Sequence, residues 1–194
     1  MIVTGRFQPL HNDHLQFLRE VRRRHDGYLA VCILRRHTPV QEFQKAEGIS
    51  PSQASRRFRN ASAAAFDEKD NPLPDWNRLI LLKKALQGDE DLSDVVIMLR
   101  DRPDLSWSLS IRDLPETRVW AIHIESELGR AKLDFYRSRG ESVVPFEGSR
   151  SITATDVRAR IRSGSGDLSW LPTSCHEYFM SECLQFFVGD RTDP

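Results

Sequence analysis

Two short stretches near opposite ends of the chain carry residue types suited to holding phosphate. The first is Gly5-Arg6-Phe7-Gln8-Pro9-Leu10-His11-Asn12-Asp13-His14, between the apolar run Met1-Ile2-Val3-Thr4 and a segment of helical spacing. A helix start presents unpaired N–H groups and a partial positive charge, which together favour an anion. Gly5 lets the backbone approach a ligand closely. His11 and His14 stand three apart at that helix start, so both imidazoles can face one anion and, once protonated, offset charge that builds in a transition state. From spacing alone, an ordinary pair of surface histidines accounts for them equally well. The second stretch is Ser149-Arg150-Ser151-Ile152-Thr153-Ala154-Thr155-Asp156-Val157-Arg158. Serine and threonine at a helix start cap its N–H groups. Thr155 and Arg158, three apart on one helical face, set a hydroxyl beside a guanidinium, an arrangement that holds phosphate oxygens. Taken alone, a plain capping sequence beside a surface arginine is the simpler reading.

The wider strings change that balance. The first resembles the nucleotidyltransferase superfamily with the His-x-Gly-His signature, and in particular the Gly-Arg-Phe-Gln-Pro-x-His-x-Gly-His form of nicotinamide mononucleotide adenylyltransferases. Gly5, Arg6, Phe7, Gln8, Pro9, His11 and His14 match. The second resembles the same superfamily's Ile-Ser-x-Thr-x-x-Arg signature through Ile152, Thr155 and Arg158, with Thr153 in place of serine. Trp170-Leu171-Pro172 is similar to that family's closing segment. The resemblance implies that Gly5, Arg6, Phe7 and Gln8 receive the nucleotide and that His11 and His14 steady the triphosphate. It implies that Thr155 and Arg158 hold the leaving pyrophosphate, with Arg158 catalytic beside the two histidines, and that Ile152 and Thr153 belong to the nucleotide-binding set. The implied reaction moves AMP from ATP, accompanied by Mg²⁺, to a phosphate acceptor, with nicotinamide mononucleotide the first choice and NAD the product. One position departs: Asp13 stands where the family has glycine. A carboxylate there either crowds and repels phosphate or turns outward as a first-turn residue favoured by the helix dipole.

The acceptor side is marked more faintly. Asp101-Arg102-Pro103-Asp104-Leu105-Ser106-Trp107 is similar to the Asp…Asn-Asp…Trp segment of the adenylyltransferases. That implies that Asp101 helps hold the acceptor and Trp107 stacks on its nicotinamide ring, since an indole face attracts a cationic pyridinium. A core tryptophan fits the pattern equally. Asn71-Pro72-Leu73…Arg78 is similar to an Asn-Pro-Phe…Glu-Arg stretch, but Asn77 replaces the glutamate, so Arg78 alone carries over as a substrate-binding residue. Arg56, Arg57 and Arg59 read as a solvated basic face in preference to a phosphate lid. His123, Glu125 and Glu127 fall at a sheet edge where substrates bind, although a strand-end histidine is more often structural. A related cytidylyl- or adenylyltransferase for another small phosphate or phosphonate stays open, as does a catalytically weak nucleotide sensor.

These residues need a scaffold that brings strand ends and helix starts together. Met1–Thr4, Tyr28–Leu34, Val95–Leu99, Val119–Ile124 and Ser142–Phe146 read as strands. Several are apolar on both faces, as in parallel sheets covered by helices. Helical spacing is expected over residues 13–24, capped by Asn12 or Asp13, and over 76–86, 106–111, 128–139, 154–162 and 173–187. The alternation predicts a single doubly wound, Rossmann-like α/β domain over residues 1–194, with a five-stranded parallel sheet, helices on both faces and C-terminal helices. Residues 39–70 read as an insertion or lid.

Composition narrows the classes further. At 39% hydrophobic, 194 residues can bury a core. The 28 basic and 28 acidic residues cancel, which argues against a general nucleic-acid or membrane-surface binder and for small-molecule nucleotide partners. The basic residues are 23 arginines and 5 lysines, a bias that suits bidentate phosphate contacts or reflects genome composition. Cys32, Cys175 and Cys183 lack metal-type spacing, and reduced thiols in the cytoplasm fit best. No metal-ligand cluster is expected, no apolar run approaches a membrane span, and the N-terminus does not read as a signal peptide. A homo-oligomer stays open.

Overall fold

Apolar runs without polar alternation need cover on both faces, and the five in this chain form one parallel sheet. The computed structural model describes residues 1–35, 53, 56–58, 60, 71–104, 107–148 and 151–188. The strands are β1 (Ile2–Gly5), β2 (Ala30–Leu34), β3 (Val96–Arg100), β4 (Val119–His123) and β5 (Ser142–Phe146), in the order β3-β2-β1-β4-β5. Ile2 stands opposite Ala30 on one side and Trp120 on the other. The order reverses between β1 and β4, so a crevice opens there at the carboxyl ends of the strands.

The helices are α1 (Asn12–Arg23), α2 (Asp75–Gln87), α3 (Trp107–Ile111), α4 (Glu127–Ser138) and α5 (Ala154–Arg162). Alternate strand residues feed two cores. Val3, Val31, Ile33, Ala121 and Phe146 meet Leu15, Leu18 and Val21 of α1, Leu81, Leu82 and Leu86 of α2, and Val157 and Ile161 of α5. Ile2, Cys32, Trp120 and Ile122 meet Ala131, Phe135 and Tyr136 of α4, with Trp107 and Ile111 of α3 against them. Helices therefore cover both faces, as the sequence leads one to expect. Cys32, Cys175 and Cys183 are buried free thiols.

Some boundaries shift. α1 begins one residue earlier than its spacing indicates, because His11, with an extended backbone, is its N-cap in place of Asn12 or Asp13. Tyr28 falls outside β2 and is exposed. Residues 173–186 pass through a 3-10 turn, one α turn, a π turn and a second 3-10 turn instead of one regular helix.

Of the expected insertion, residues 53, 56–58 and 60 are described and helical. Phe58 is buried, its ring 5.0 Å from that of Phe135. Arg57 donates to Asp134 Oδ2 at 2.8 Å, an exposed ion pair. Arg56 is exposed and Arg59 lies outside the described residues. Among the described residues no helix is long and apolar enough to cross a membrane.

Candidate active site

The crevice at the reversal point takes one wall from β1 and α1 and the other from β4 and α4, with Ala154 of α5 at its edge. Its shape begins with Gly5. A Cβ there would stand 2.8 Å from the Phe7 ring, so no larger residue fits without moving that ring. Phe7 adopts a positive φ of 52° and is buried, its ring 4.9 Å from that of His14. This bend turns the chain from the end of β1 into the start of α1.

His11 and His14 come together, but not side by side on the crevice. His14 lines it; His11 is fully buried, its ring 3.7 Å from that of His14 at 34°. The His11 backbone N–H donates to His14 Nδ1 at 3.2 Å. In the neutral ring the proton then sits on Nε2, which leaves His14 a donor at a helix start, where an anion is favoured.

Gln8 serves the frame. Its buried Nε2 donates to the Leu73 carbonyl at 2.7 Å and its Oε1 accepts from Leu73 N at 3.0 Å. Arg6 lines the crevice and donates from Nη1 to Asn71 Oδ1 at 3.4 Å. Arg78 lies beneath these residues, 1% exposed. Its Nη1 donates to the carbonyls of Arg6 at 2.7 Å and Leu34 at 2.8 Å, and its Nη2 pairs with Asp75. Through these bonds Arg78, expected as a substrate contact, ties together the ends of β1 and β2. Asn77 turns towards the closing segment, where its Nδ2 lies 3.4 Å from Tyr178 Oη.

The second phosphate-type stretch docks directly on the first. Arg158, 4% exposed, donates from Nη1 to the Gln8 carbonyl at 2.9 Å and from Nη2 to Thr155 Oγ1 at 3.0 Å. Thr153 is the N-cap of α5, accepting from Asp156 N at 3.2 Å while donating from Oγ1 to the Asp156 carboxylate at 2.6 Å. Ile152 packs against the larger core. The closing segment joins through Asn12, whose backbone N–H reaches the Trp170 carbonyl at 2.9 Å and whose Nδ2 reaches that of Ser169 at 2.8 Å.

Asp13, between the two histidines' positions, forms a second link between the stretches. Its Oδ1 accepts from Ser151 Oγ at 2.7 Å and its Oδ2 from Ile152 N at 2.9 Å. Partial burial raises its pKa, but the hydrogen bonds from Ile152 and Ser151 and the nearby His11 outweigh that, and the net value lies below the usual 3.8. A lowered carboxyl pKa stabilises the fold fully above the unfolded value and loses that contribution as pH falls through the folded one. Asp13→Ala should cost about 1 kcal/mol at neutral pH. Urea unfolding should show the gap to wild type unchanged down to about pH 5 and closing below about pH 4. A gap independent of pH would mean that the carboxylate charge is not what holds residues 151–152.

The expected acceptor residues Asp101 and Trp107 do not line the crevice itself. Asp101 borders a smaller hollow with Cys32, Ser110 and Tyr136 that shares Thr4 and Leu34 with the crevice, and its carboxylate lies 3.9 Å from Arg35. Asp104 is buried, 2.7 Å from Arg102 Nη2. Trp107 packs on Trp120, Phe135 and Tyr136 at centroid distances of 6.2, 5.6 and 5.6 Å. The Arg139 guanidinium lies 5.8 Å from its ring centroid.

The β4–α4 wall holds what sequence reading undervalued or missed. His123 lines the crevice, edge-on to Phe17 at 5.5 Å and with Nδ1 3.9 Å from Glu125 Oε2. A Cβ on Gly129 would fall 2.2 Å from the His123 carbonyl oxygen. That absence of a side chain lets the first turn of α4, capped by Ser126, close on the end of β4. Lys132, one turn later, donates from Nζ to the Thr4 carbonyl and hydroxyl, both at 3.0 Å. The available signals were a glycine in a helix's first turn and a lysine inside the apolar stripe Leu128, Ala131, Phe135, Tyr136.

No protein-family model matches the chain, and no curated protein matches it. Solved structures do. One is a bifunctional NMN adenylyltransferase/ADP ribose pyrophosphatase from Francisella tularensis complexed with AMP and manganese ion, at TM-score 0.59 and 16% identity over 96% of this chain and 51% of that one. Another structure under the same bifunctional description, from the same organism, gives TM-score 0.60 and 15% identity over 94% and 50%. The chain thus spans about half the length of the structures it matches. At such identity the likeness is one of fold: the chain shares the α/β architecture of these structures.

Proposed function

We propose that the chain is a nucleotidyltransferase that moves AMP from ATP to the phosphate of a small acceptor, nicotinamide mononucleotide first among them, and releases pyrophosphate. The observation that carries this reading is the contact between the two phosphate-type stretches. Gln8 and Arg158, 150 positions apart, are joined at 2.9 Å beside a crevice that His14 and Arg6 line.

In the reaction, an acceptor phosphate oxygen attacks the α-phosphorus in line. The bond from that phosphorus to the bridging oxygen breaks, and pyrophosphate leaves with the bonding electrons. Such transfers need positioning and charge stabilisation more than covalent help. His14 donates from Nε2 to the phosphoryl oxygens and His11 holds its ring in place. Arg158 acts from behind, fixing Gln8 against the start of α5. No group of three or more ligating side chains gathers among the described residues. Mg²⁺, which would screen the triphosphate, is accordingly expected to be held by phosphate oxygens and water. Under this reading the partners are small nucleotides in the cytoplasm, and neither nucleic acid nor a membrane surface is required.

A second acceptor class is favoured by one observation. The Trp107 ring is packed among three aromatic side chains and has Arg139 beside it, which suits a core role better than stacking on a pyridinium. Purified protein with Mg²⁺, ATP or CTP, and a panel of phosphate and phosphonate acceptors separates the readings. NAD formation from ATP is expected to be fastest. Faster turnover of another acceptor, or with CTP, moves the assignment there. Tight nucleotide binding with no pyrophosphate released for any acceptor overturns transfer and leaves a nucleotide sensor.

A further inference from the structure

An in-line displacement needs the attacking and leaving groups on opposite sides of the α-phosphorus. The crevice has two such sides. His14, Phe17 and Ala154 belong to the sheet face of α1 and α5, where the second phosphate-type stretch docks. Phe58, Leu128 and Lys132 belong to the face of α4. If pyrophosphate leaves beside the second stretch, the acceptor's phosphate approaches from the α4 side.

That side is built around a cation in an unexpected place. Lys132 interrupts the apolar stripe of α4, four residues after Leu128 and four before Tyr136. Placing an ammonium there is costly unless its head is partnered. Its Nζ reaches across to β1 and holds both the carbonyl and the hydroxyl of Thr4 at 3.0 Å. Thr4 is itself a polar residue following the apolar Ile2 and Val3, directly before Gly5. A hydroxyl and an ammonium, on elements 128 residues apart, thus meet at the crevice wall. Both side chains are half-buried, so the polar heads meet on the crevice lining. The pair aims positive charge at a crevice that the end of β1 also lines.

We propose that Lys132, held by Thr4, is a substrate-binding residue that receives the phosphate of the acceptor. This rests on the transfer reading above, and the test keeps the two apart. Calorimetry without ATP compares nicotinamide mononucleotide with nicotinamide riboside, which lacks the phosphate. Wild type should prefer the phosphorylated form by at least about tenfold, roughly the strength of one charge-assisted hydrogen bond. Lys132→Met should abolish that preference while leaving riboside affinity within about twofold. In turnover with ATP, the same variant should raise the acceptor KM about tenfold or more and leave the ATP KM within about twofold. Lys132→Gln keeps a donor for Thr4 without the charge; it carries the same readouts if the methionine variant does not fold.

A phosphate preference that survives in either folded variant overturns the proposal. So does a wild type that binds both compounds equally or neither, or a variant whose ATP KM rises in place of the acceptor's. A wild type that transfers nothing, yet loses its phosphate preference on substitution, leaves the phosphate site standing and removes the transfer reading. Normal transfer by a folded variant with unchanged acceptor KM does the reverse.

Discussion

His14→Ala should lower kcat for pyrophosphate release by about 10²–10³-fold, the usual loss when one preorganised donor to a transition-state oxyanion is removed. The ring cannot rotate freely to find this geometry, because the His11 N–H fixes Nδ1 and the His11 ring lies 3.7 Å away. The Nε2 proton is therefore directed before substrate arrives, which is the condition under which a hydrogen bond contributes to the barrier and not only to binding. The ATP dissociation constant should change by less than about tenfold, since the interaction strengthens mainly as charge builds. His11→Ala should act through the same ring, with a smaller loss in kcat. Steady-state kinetics beside equilibrium binding decides the matter. A kcat within tenfold of wild type for His14→Ala would remove it from the chemistry.

The second large effect is on stability. Arg78→Leu should cost about 2–4 kcal/mol, because the buried guanidinium that serves two backbone carbonyls is lost. The carbonyls of Arg6 and Leu34 lose their donor, and Asp75 loses its cation. These carbonyls end two neighbouring strands, so the loosening reaches the turn that carries Phe7 and His14. Urea unfolding should show the midpoint falling with an unchanged slope. Were Arg78 chiefly a substrate contact, stability would stay within about 0.5 kcal/mol and the loss would appear in acceptor KM. The two outcomes are well separated.

The scaffold was largely legible because it is written in local periodicity. Val31, Cys32 and Ile33 face both cores of the sheet, and an unbroken apolar run records that directly. The phosphate-type stretches were legible as strings, and their docking matches their placement at strand and helix ends. What spacing does not hold is the identity of a partner far along the chain. Gln8 binds Leu73 and Arg158 binds Gln8. Each reads in sequence as a ligand contact, and each also bonds a distant stretch of the chain, which no local pattern records. Asp13 read either as a hazard for phosphate or as a first-turn residue turned outward, and its carboxylate is engaged by Ser151 and Ile152. Trp107 read equally as a stacking platform or a core residue, because the distance from α3 to the aromatic side chains of α4 is not encoded in any local pattern. Lys132 escaped notice for the opposite reason: one charge in an amphipathic helix is normally placed on the wet side.

The buried thiols have a practical consequence. Burial pushes Cys32, Cys175 and Cys183 up to about 11, well above the ordinary thiol value, so at neutral pH almost no thiolate is exposed to react. A single cysteine introduced on the surface, for instance at Ser138, would therefore outcompete all three for a maleimide dye. Fluorescence labelling can proceed on the natural background, without first replacing residues on which the interior depends.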